Sequence, residues 1–176
     1  HLLMIAIEAF RASGHREQSL EYAKLLITYH PQRWQGYGRA AQDLAFLKHF
    51  EKAQDQIIEG LRKMPNHLVL LAIANDIFLA SGDRKSALGF ANGMMTHHPD
   101  DWNGYCRTAQ DLTALNRFDD LERFGLWMQG QPLQPHFVES VNDWMHTAKL
   151  GLIALHDLDR DATLLQLREF SGGRNV

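Results

Sequence analysis

Pro31, Pro65 and Pro99 stand at a constant spacing of 34 residues. Proline ends a helix because it has no N–H to donate and forces the residue before it out of the helical region. A breaker with that period divides the chain into units that each hold two helices and a turn, so apolar faces are buried between neighbouring units. A shift of 68 residues, twice the period, brings out a second level of order. His30-Pro31-Gln-Arg-Trp34-Gln-Gly36-Tyr37-Gly-Arg39-Ala-Ala41-Gln42-Asp43-Leu44 then meets His98-Pro99-Asp-Asp-Trp102-Asn-Gly104-Tyr105-Cys-Arg107-Thr-Ala109-Gln110-Asp111-Leu112. The same shift lays Phe10, Ala12, Ser13, Gly14 and Arg16 on Phe78, Ala80, Ser81, Gly82 and Arg84, so the duplicated block is a pair of units.

Composition limits what such a chain does. With 176 residues, 45% apolar and 22% charged, it has the material of a folded protein. The net charge of -3 supplies no basic field for phosphates, which argues against nucleic acid. Cys106 is the only cysteine, so neither an internal disulfide nor a thiolate metal cluster is expected, and a reducing, cytoplasmic setting is favoured. Apolar runs such as Leu68 to Ala74 are far shorter than the roughly 20 residues of a spanning helix, so no membrane insertion is expected. The opening residues lack the basic start and small-residue cleavage site of a secretory leader, and with His1 in place of Met the chain reads as a segment of something longer.

Within each unit a pattern of aromatic, small pair, aromatic, alanine, bulky residue and proline recurs. The second unit reads Tyr37, Ala40, Ala41, Leu44, Ala53, Ile57, Pro65, and the third Leu71, Ala74, Asn75, Phe78, Ala87, Ala91, Pro99. The first reads Leu3, Ala6, Ile7, Phe10, Ser19, Ala23, Pro31; the fourth keeps Tyr105, Thr108, Ala109 and Leu112, then departs with Leu121, Gly125 and an early Pro132. This pattern resembles that of the tetratricopeptide repeat (TPR) family. The resemblance implies an all-α, right-handed superhelical solenoid of helix-turn-helix repeats. Small residues such as Ala40, Ala41, Ala53, Ala74, Ala87 and Ala109 would sit where antiparallel helices touch.

Paired helices are expected near 2–13 and 17–29, 34–46 and 50–63, 67–80 and 84–97, 102–115 and 118–129. Gly14 and Gly82 should stop first helices, and the prolines should stop second ones. This organises residues 1–132 as four TPR-like repeats, about 1–31, 32–65, 66–99 and 100–132. Residues 133–176 are expected to form a modified fifth repeat or C-terminal capping helices, with one helix from Pro135 to about Leu155 and another from Asp161 to Phe170.

No catalytic constellation is visible. The ten histidines match no ligand spacing, Cys106 has no histidine placed to face it, and no phosphate-cradling glycine loop occurs. His30 and His98, each before a proline, suit the carboxyl end of a helix dipole. Asp157 to Asp161 resembles the start of a calcium loop, but Ala162 and Arg168 stand where such a loop needs glycine and an acid, so a turn and cap are expected there. Neither cofactor nor metal is implied. Trp34 and Trp102 are expected to pack against a preceding helix; if exposed, they would form two aromatic platforms.

The remaining candidate is a polar stripe on the first helices, a face that the resemblance makes concave. It consists of Glu8, Arg39, Gln42, Asp76, Arg107 and Gln110, with acid and base alternating from unit to unit. One reading is a ladder of contacts between neighbouring helices, each exposed pair worth about 0–1 kcal/mol. The other is a groove in which Arg39 and Arg107 offer forked donors to carboxylates or phosphates of a partner while Gln42 and Gln110 bond its backbone. Met4, Glu8 and Ile73 stand where chaperone-tail-binding members of the family carry Lys and Asn, which argues against that specificity. The expected function is a non-catalytic module that binds a peptide segment or partner protein. The alternative is an accessory or oligomerising segment of a larger enzyme, for which the Pro-x-x-Trp-x-Gly-Tyr variant loosely resembles arrays attached to bacterial glycan-building transferases. Self-association would then use apolar residues such as Leu126, Trp127, Phe137 and Trp144.

Overall fold

The computed structural model describes residues 1–131 and 135–172. Among these the chain is helical without strands: α1 (Leu2–Ala12), α2 (Arg16–Tyr29), α3 (Trp34–Phe46), α4 (Phe50–Lys63), α5 (Leu68–Ala80), α6 (Arg84–His97), α7 (Trp102–Ala114), α8 (Phe118–Gln129) and α9 (Pro135–Gly172). The first eight lie within one residue of the expected spans. They fall in two compact units, His1–Asp111 and Leu112–Val176.

The punctuation has a specific backbone form. Gly14 and Gly82 take φ of 81° and 90°, and the residues at the same place in the other two units, Lys48 and Asn116, are also left-handed at 64° and 55°. After them the amides of His15, His49 and Arg117 return to the carbonyls of Phe10, Leu44 and Leu112 at 2.8, 2.9 and 2.9 Å. This six-to-one closure is the Schellman motif, which needs a left-handed residue at its turn. A 34-residue period in φ thus persists even where glycine has been replaced, and Lys48 carries the steric cost that glycine avoids. At the other end of each hairpin, His30, Met64 and His98 precede the periodic prolines and sit at φ of −139°, −132° and −136°. Their backbone thus lies outside the helical region, as the ring of a following proline requires.

In the first unit, helices cross closely because large and small residues are exchanged across each crossing. A Cβ on Gly36 would lie 2.8 Å from Ile27 Cγ1, and one on Gly104 would lie 2.9 Å from the Met95 amide nitrogen. Between α4 and its neighbours the small partner is on the other helix: a Cβ on Gly60 would lie 2.7 Å from Tyr37 Cβ and 3.5 Å from Leu70. Ala40, Ala41, Ala53, Ala74, Ala87 and Ala109 are fully buried. Ile7, Leu26, Ile57, Leu70 and Tyr37 fill the spaces between them, each large side chain contributing about 1.5–3 kcal/mol by leaving water.

In the second unit, α8 packs on α9 through Leu121, Met128, Val141, Met145 and Ala148. Gly125 receives the Met145 side chain and Gly151 receives the Phe118 ring. Here the structure departs from the sequence reading. One helix of 38 residues runs where two were expected, and Asp157 to Asp161 is helical instead of a turn. No proline or positive-φ glycine interrupts this stretch, and single aspartates weaken a helix by too little to end it. Pro132 and the residues after Gly172 lie outside the described residues, as do the side chains of 160–172.

Replacing Lys48 by glycine is expected to raise stability by about 1 kcal/mol, by removing left-handed strain. Gly36→Leu or Gly104→Leu should lower it by about 1–3 kcal/mol through overpacking. Urea denaturation monitored by circular dichroism measures both.

Candidate functional site

The first helices of the unit spanning His1–Asp111 carry the polar stripe, and the structure divides it into two separate clusters. Arg39 Nη2 lies 2.8 Å from Glu8 Oε1, and its Nη1 donates to Gln42 Oε1 at 3.1 Å. Arg107 bonds Asp76, and its Nη1 also donates to Asn75 Oδ1 at 2.6 Å. Glu8 and Asp76, Arg39 and Arg107, and Gln42 and Gln110 are each related by the 68-residue shift, so one ion pair has been built twice. The ladder does not run on from Arg39 to Asp76: among the described residues no ion pair joins them. Gln110 is exposed on α7 and belongs to neither cluster. Both arginines are about a quarter exposed, at 27% and 26%, while their acids are at 50% and 58%. Such pairs are weak in water.

Beneath the first cluster lies a charged centre that sequence reading did not single out. Asp43, fully buried, takes Arg11 Nη1 at 2.6 Å, Arg16 Nη1 at 2.9 Å and the Ser19 hydroxyl at 2.5 Å. Arg11 further donates to Gln42 Oε1 at 3.2 Å. Three arginines, Arg11, Arg16 and Arg39, therefore share two carboxylates, Asp43 and Glu8. The sequence signal for this centre was present, since Asp43 and Asp111 are matched in the duplication, but the matched residues for Arg11 and Ser19 are Leu79 and Ala87.

Asp111 accordingly has a different environment. It accepts from Asn75 Nδ2 at 2.9 Å, and Asn75 also donates to the Ala87 carbonyl at 2.9 Å. Burial pushes the Asp111 carboxyl above its ordinary value, against the pull of the Asn75 hydrogen bond and the charges of Arg84 and Arg107.

A cavity of about 370 Å³ opens beside these groups, lined by Arg11, Arg16, Gln42, Phe46, Ile73, Asp76 and Ile77 among others. Phe46 is 60% exposed at its edge, and the Arg16 guanidinium sits 4.4 Å from the ring centroid. A broader hollow of about 780 Å³ lies between α2 and α4. Its walls mix Glu17, Lys24, Lys52 and Asp55, so no single sign of charge dominates it.

The other sequence candidates resolve into local structure. His98 is the C-cap residue of α6, and its ring donates to the Asn66 carbonyl at 2.6 Å, tying two inter-unit loops together. The tryptophans are half-buried and do not form open platforms. Trp34 packs against the His67 ring at 5.4 Å, and Trp102 stacks on Tyr105 at 5.4 Å. Burial holds His67 below its ordinary value and raises the Cys106 thiol, which disfavours the reactive thiolate. Among the described residues, no group of three or more His, Cys, Asp and Glu side chains is placed to hold a metal. No described helix is long and apolar enough to cross a membrane.

The paired helices, left-handed hairpin turns and small-residue crossings define a helical-repeat fold of the TPR type, which solved structures share. MamA 41-end from Desulfovibrio magneticus RS-1 aligns over 91% of this chain and 94% of its own, with a TM-score of 0.61 at 17% identity. YrrB, described as a TPR protein with an unusual peptide-binding site, aligns over 85% of this chain and 74% of its own, with a TM-score of 0.62 at 12% identity. The first TPR of Spaghetti (RPAP3), bound to the HSP90 peptide SRMEEVD, aligns over 65% of this chain and 93% of its own, with a TM-score of 0.59 at 11% identity. No family model matches the chain, and no curated protein does.

The two aspartates should respond in opposite ways to neutralisation. Asp43→Asn leaves Arg11 and Arg16 without their buried counter-charge and should cost about 3–5 kcal/mol. Asp111→Asn should be neutral or stabilising at pH 7. The raised pKa of Asp111 means that its contribution to stability is fully present below the unfolded value near 4 and is lost as pH rises through the folded value. The advantage of Asp111→Asn over the parent should therefore appear only above about pH 4. Thermal melts from pH 3 to 8 check this.

Proposed function

We propose that this chain is a non-catalytic interaction module that binds an extended segment of a partner protein along the face carried by α1, α3, α5 and α7. The observation that carries the reading is the repeated ion pair: Glu8–Arg39 and Asp76–Arg107 place two guanidiniums on one face, each held by a half-exposed acid. A guanidinium so held is already oriented, and a carboxylate of the partner need only displace a weakly bound one. Gln42 and Gln110 stand three residues further along α3 and α7, within reach of a bound backbone. The peptide-bound TPR of Spaghetti and the peptide-binding site named for YrrB lend support by analogy of fold. No positioned acid, base and nucleophile accompanies this face, which favours binding over catalysis. The lone, half-buried Cys106 is compatible with a cytoplasmic setting.

A second reading, self-association as an accessory part of a larger enzyme, has one observation in its favour. Leu126 and Trp127 of α8, and Leu150, Ile153 and Leu158 of α9, are exposed large apolar side chains. Phe137 and Trp144, grouped with them on sequence grounds, are partly buried, and Trp144 stacks on Phe124 at 5.8 Å.

Arg39→Ala combined with Arg107→Ala should weaken partner binding about tenfold or more and lower stability by about 1–3 kcal/mol, because the loss of Arg107 leaves the buried Asn75 oxygen without its donor. Calorimetric titration of a partner recovered by crosslinking to the full chain measures it; unchanged affinity would sink the reading. A monomeric mass by light scattering at high concentration would count against self-association.

A further inference from the structure

The cavity between α1, α3 and α5 is built differently from the rest of the stripe. Its lining combines buried apolar side chains, Ile73 and Ile77, with the exposed ring of Phe46, the guanidiniums of Arg11 and Arg16, and the carboxylate of Asp76, whose charge Arg107 already compensates. A volume of about 370 Å³, at the lower end of the range of ligand pockets, has room for one large side chain and a neighbouring group.

Charge and hydrogen bonding say what should accompany that side chain. Arg11 and Arg16 are both satisfied by the single carboxylate of Asp43, while Glu8 is taken by Arg39, so this end of the face carries one positive charge in excess. Arg16 uses one amino group on Asp43, and its Nε–H is buried with no acceptor. A buried guanidinium N–H without a partner costs free energy that an incoming acceptor relieves. The same residue lies over Phe46, so an apolar side chain entering against Phe46 brings its neighbour to Arg16. The corresponding position for Arg11 in the second copy is Leu79, and for Phe46 it is Ala114, so the duplication does not repeat this arrangement.

We propose that this cavity is the anchor subsite of the partner-binding face, and that it takes an aromatic or large aliphatic side chain adjacent in sequence to a carboxylate. The apolar side chain packs on Phe46, Ile73 and Ile77, and the carboxylate accepts from Arg16 and neutralises the excess charge of the Arg11–Arg16 pair. The inference rests on the reading of this face as a partner-binding surface, and it adds the chemistry of the partner's anchoring residues.

The test uses the full chain and three capped dipeptides: acetyl-Glu-Phe-amide, acetyl-Gln-Phe-amide and acetyl-Lys-Phe-amide. In two-dimensional amide NMR, the Glu peptide should give saturable shifts confined to Ala45, Phe46, Ile73, Asp76, Ile77 and Ala80. The Gln peptide should bind about tenfold more weakly, the usual worth of a charge-assisted hydrogen bond, and the Lys peptide should not saturate. Phe46→Ala, at an exposed position that leaves the core intact, should abolish the shifts without lowering the melting temperature. Equal binding of all three peptides, tighter binding of the Lys peptide, or shifts located elsewhere would overturn the proposal. Absence of dipeptide binding, together with partner binding lost in the Arg39→Ala and Arg107→Ala variant, would overturn the anchor and leave the partner-binding reading standing. Dipeptide binding at the cavity, with a partner unaffected by that variant, would support the anchor and remove the arginine pair from the reading.

Discussion

Close approach between consecutive helices is the constraint on which the rest of the first unit depends. Two helix backbones come within contact distance only where one side offers almost no side chain, and here the small partner alternates between helices. Gly36 accepts Ile27 and Gly104 accepts Met94 and Met95, whereas Gly60, on a second helix, accepts Tyr37 and Leu70. Because each crossing holds the next first helix against the preceding second one, the side chains of α1, α3, α5 and α7 that are left over are carried on one face. The polar stripe is the remainder of that packing: Glu8, Arg39, Asp76 and Arg107 occupy first-helix positions that no crossing uses.

Duplication then supplied two copies of the same polar arrangement, and the copies diverged where burial is greatest. Asp43 kept two arginines and a serine around it, so its charge is compensated in place. Asp111 lost the equivalents of Arg11 and Ser19 to Leu79 and Ala87 and gained Asn75, a neutral donor, in their stead. The outer pair, Glu8–Arg39 and Asp76–Arg107, changed only by one methylene. Half-exposed groups tolerate such change because water screens them, whereas a buried carboxylate registers every lost donor. The two ends of one repeated face thus differ in charge even though their outer ion pairs match.

Much of this was legible in the chain itself. The 34-residue proline period and the 68-residue duplication determine where first and second helices begin and end, because proline and its preceding residue are restricted by local sterics alone. The alanines of the crossings follow from the same register, as does the placing of Glu8, Arg39, Asp76 and Arg107 on first helices, though not which of them pair. Lys48 and Asn116 were not readable as turn residues, since only the period, and not their identity, marks them as left-handed. The break expected near Asp157 was a misreading of residues that a helix tolerates; nothing in that stretch is costly enough to stop it.

What only the tertiary structure decided is which charges meet. Arg11 and Arg16 lie on different helices from Asp43 and are 32 and 27 residues from it, distances at which no sequence spacing specifies a contact. The same holds for the cavity beside them, whose apolar lining comes from α3 and α5 and whose guanidiniums come from α1 and α2. Sequence by itself determined the helices and their order, because those depend on neighbours within a turn or two of chain. Partnership among buried charges depends on how helix surfaces are rotated against one another, and packing alone sets that.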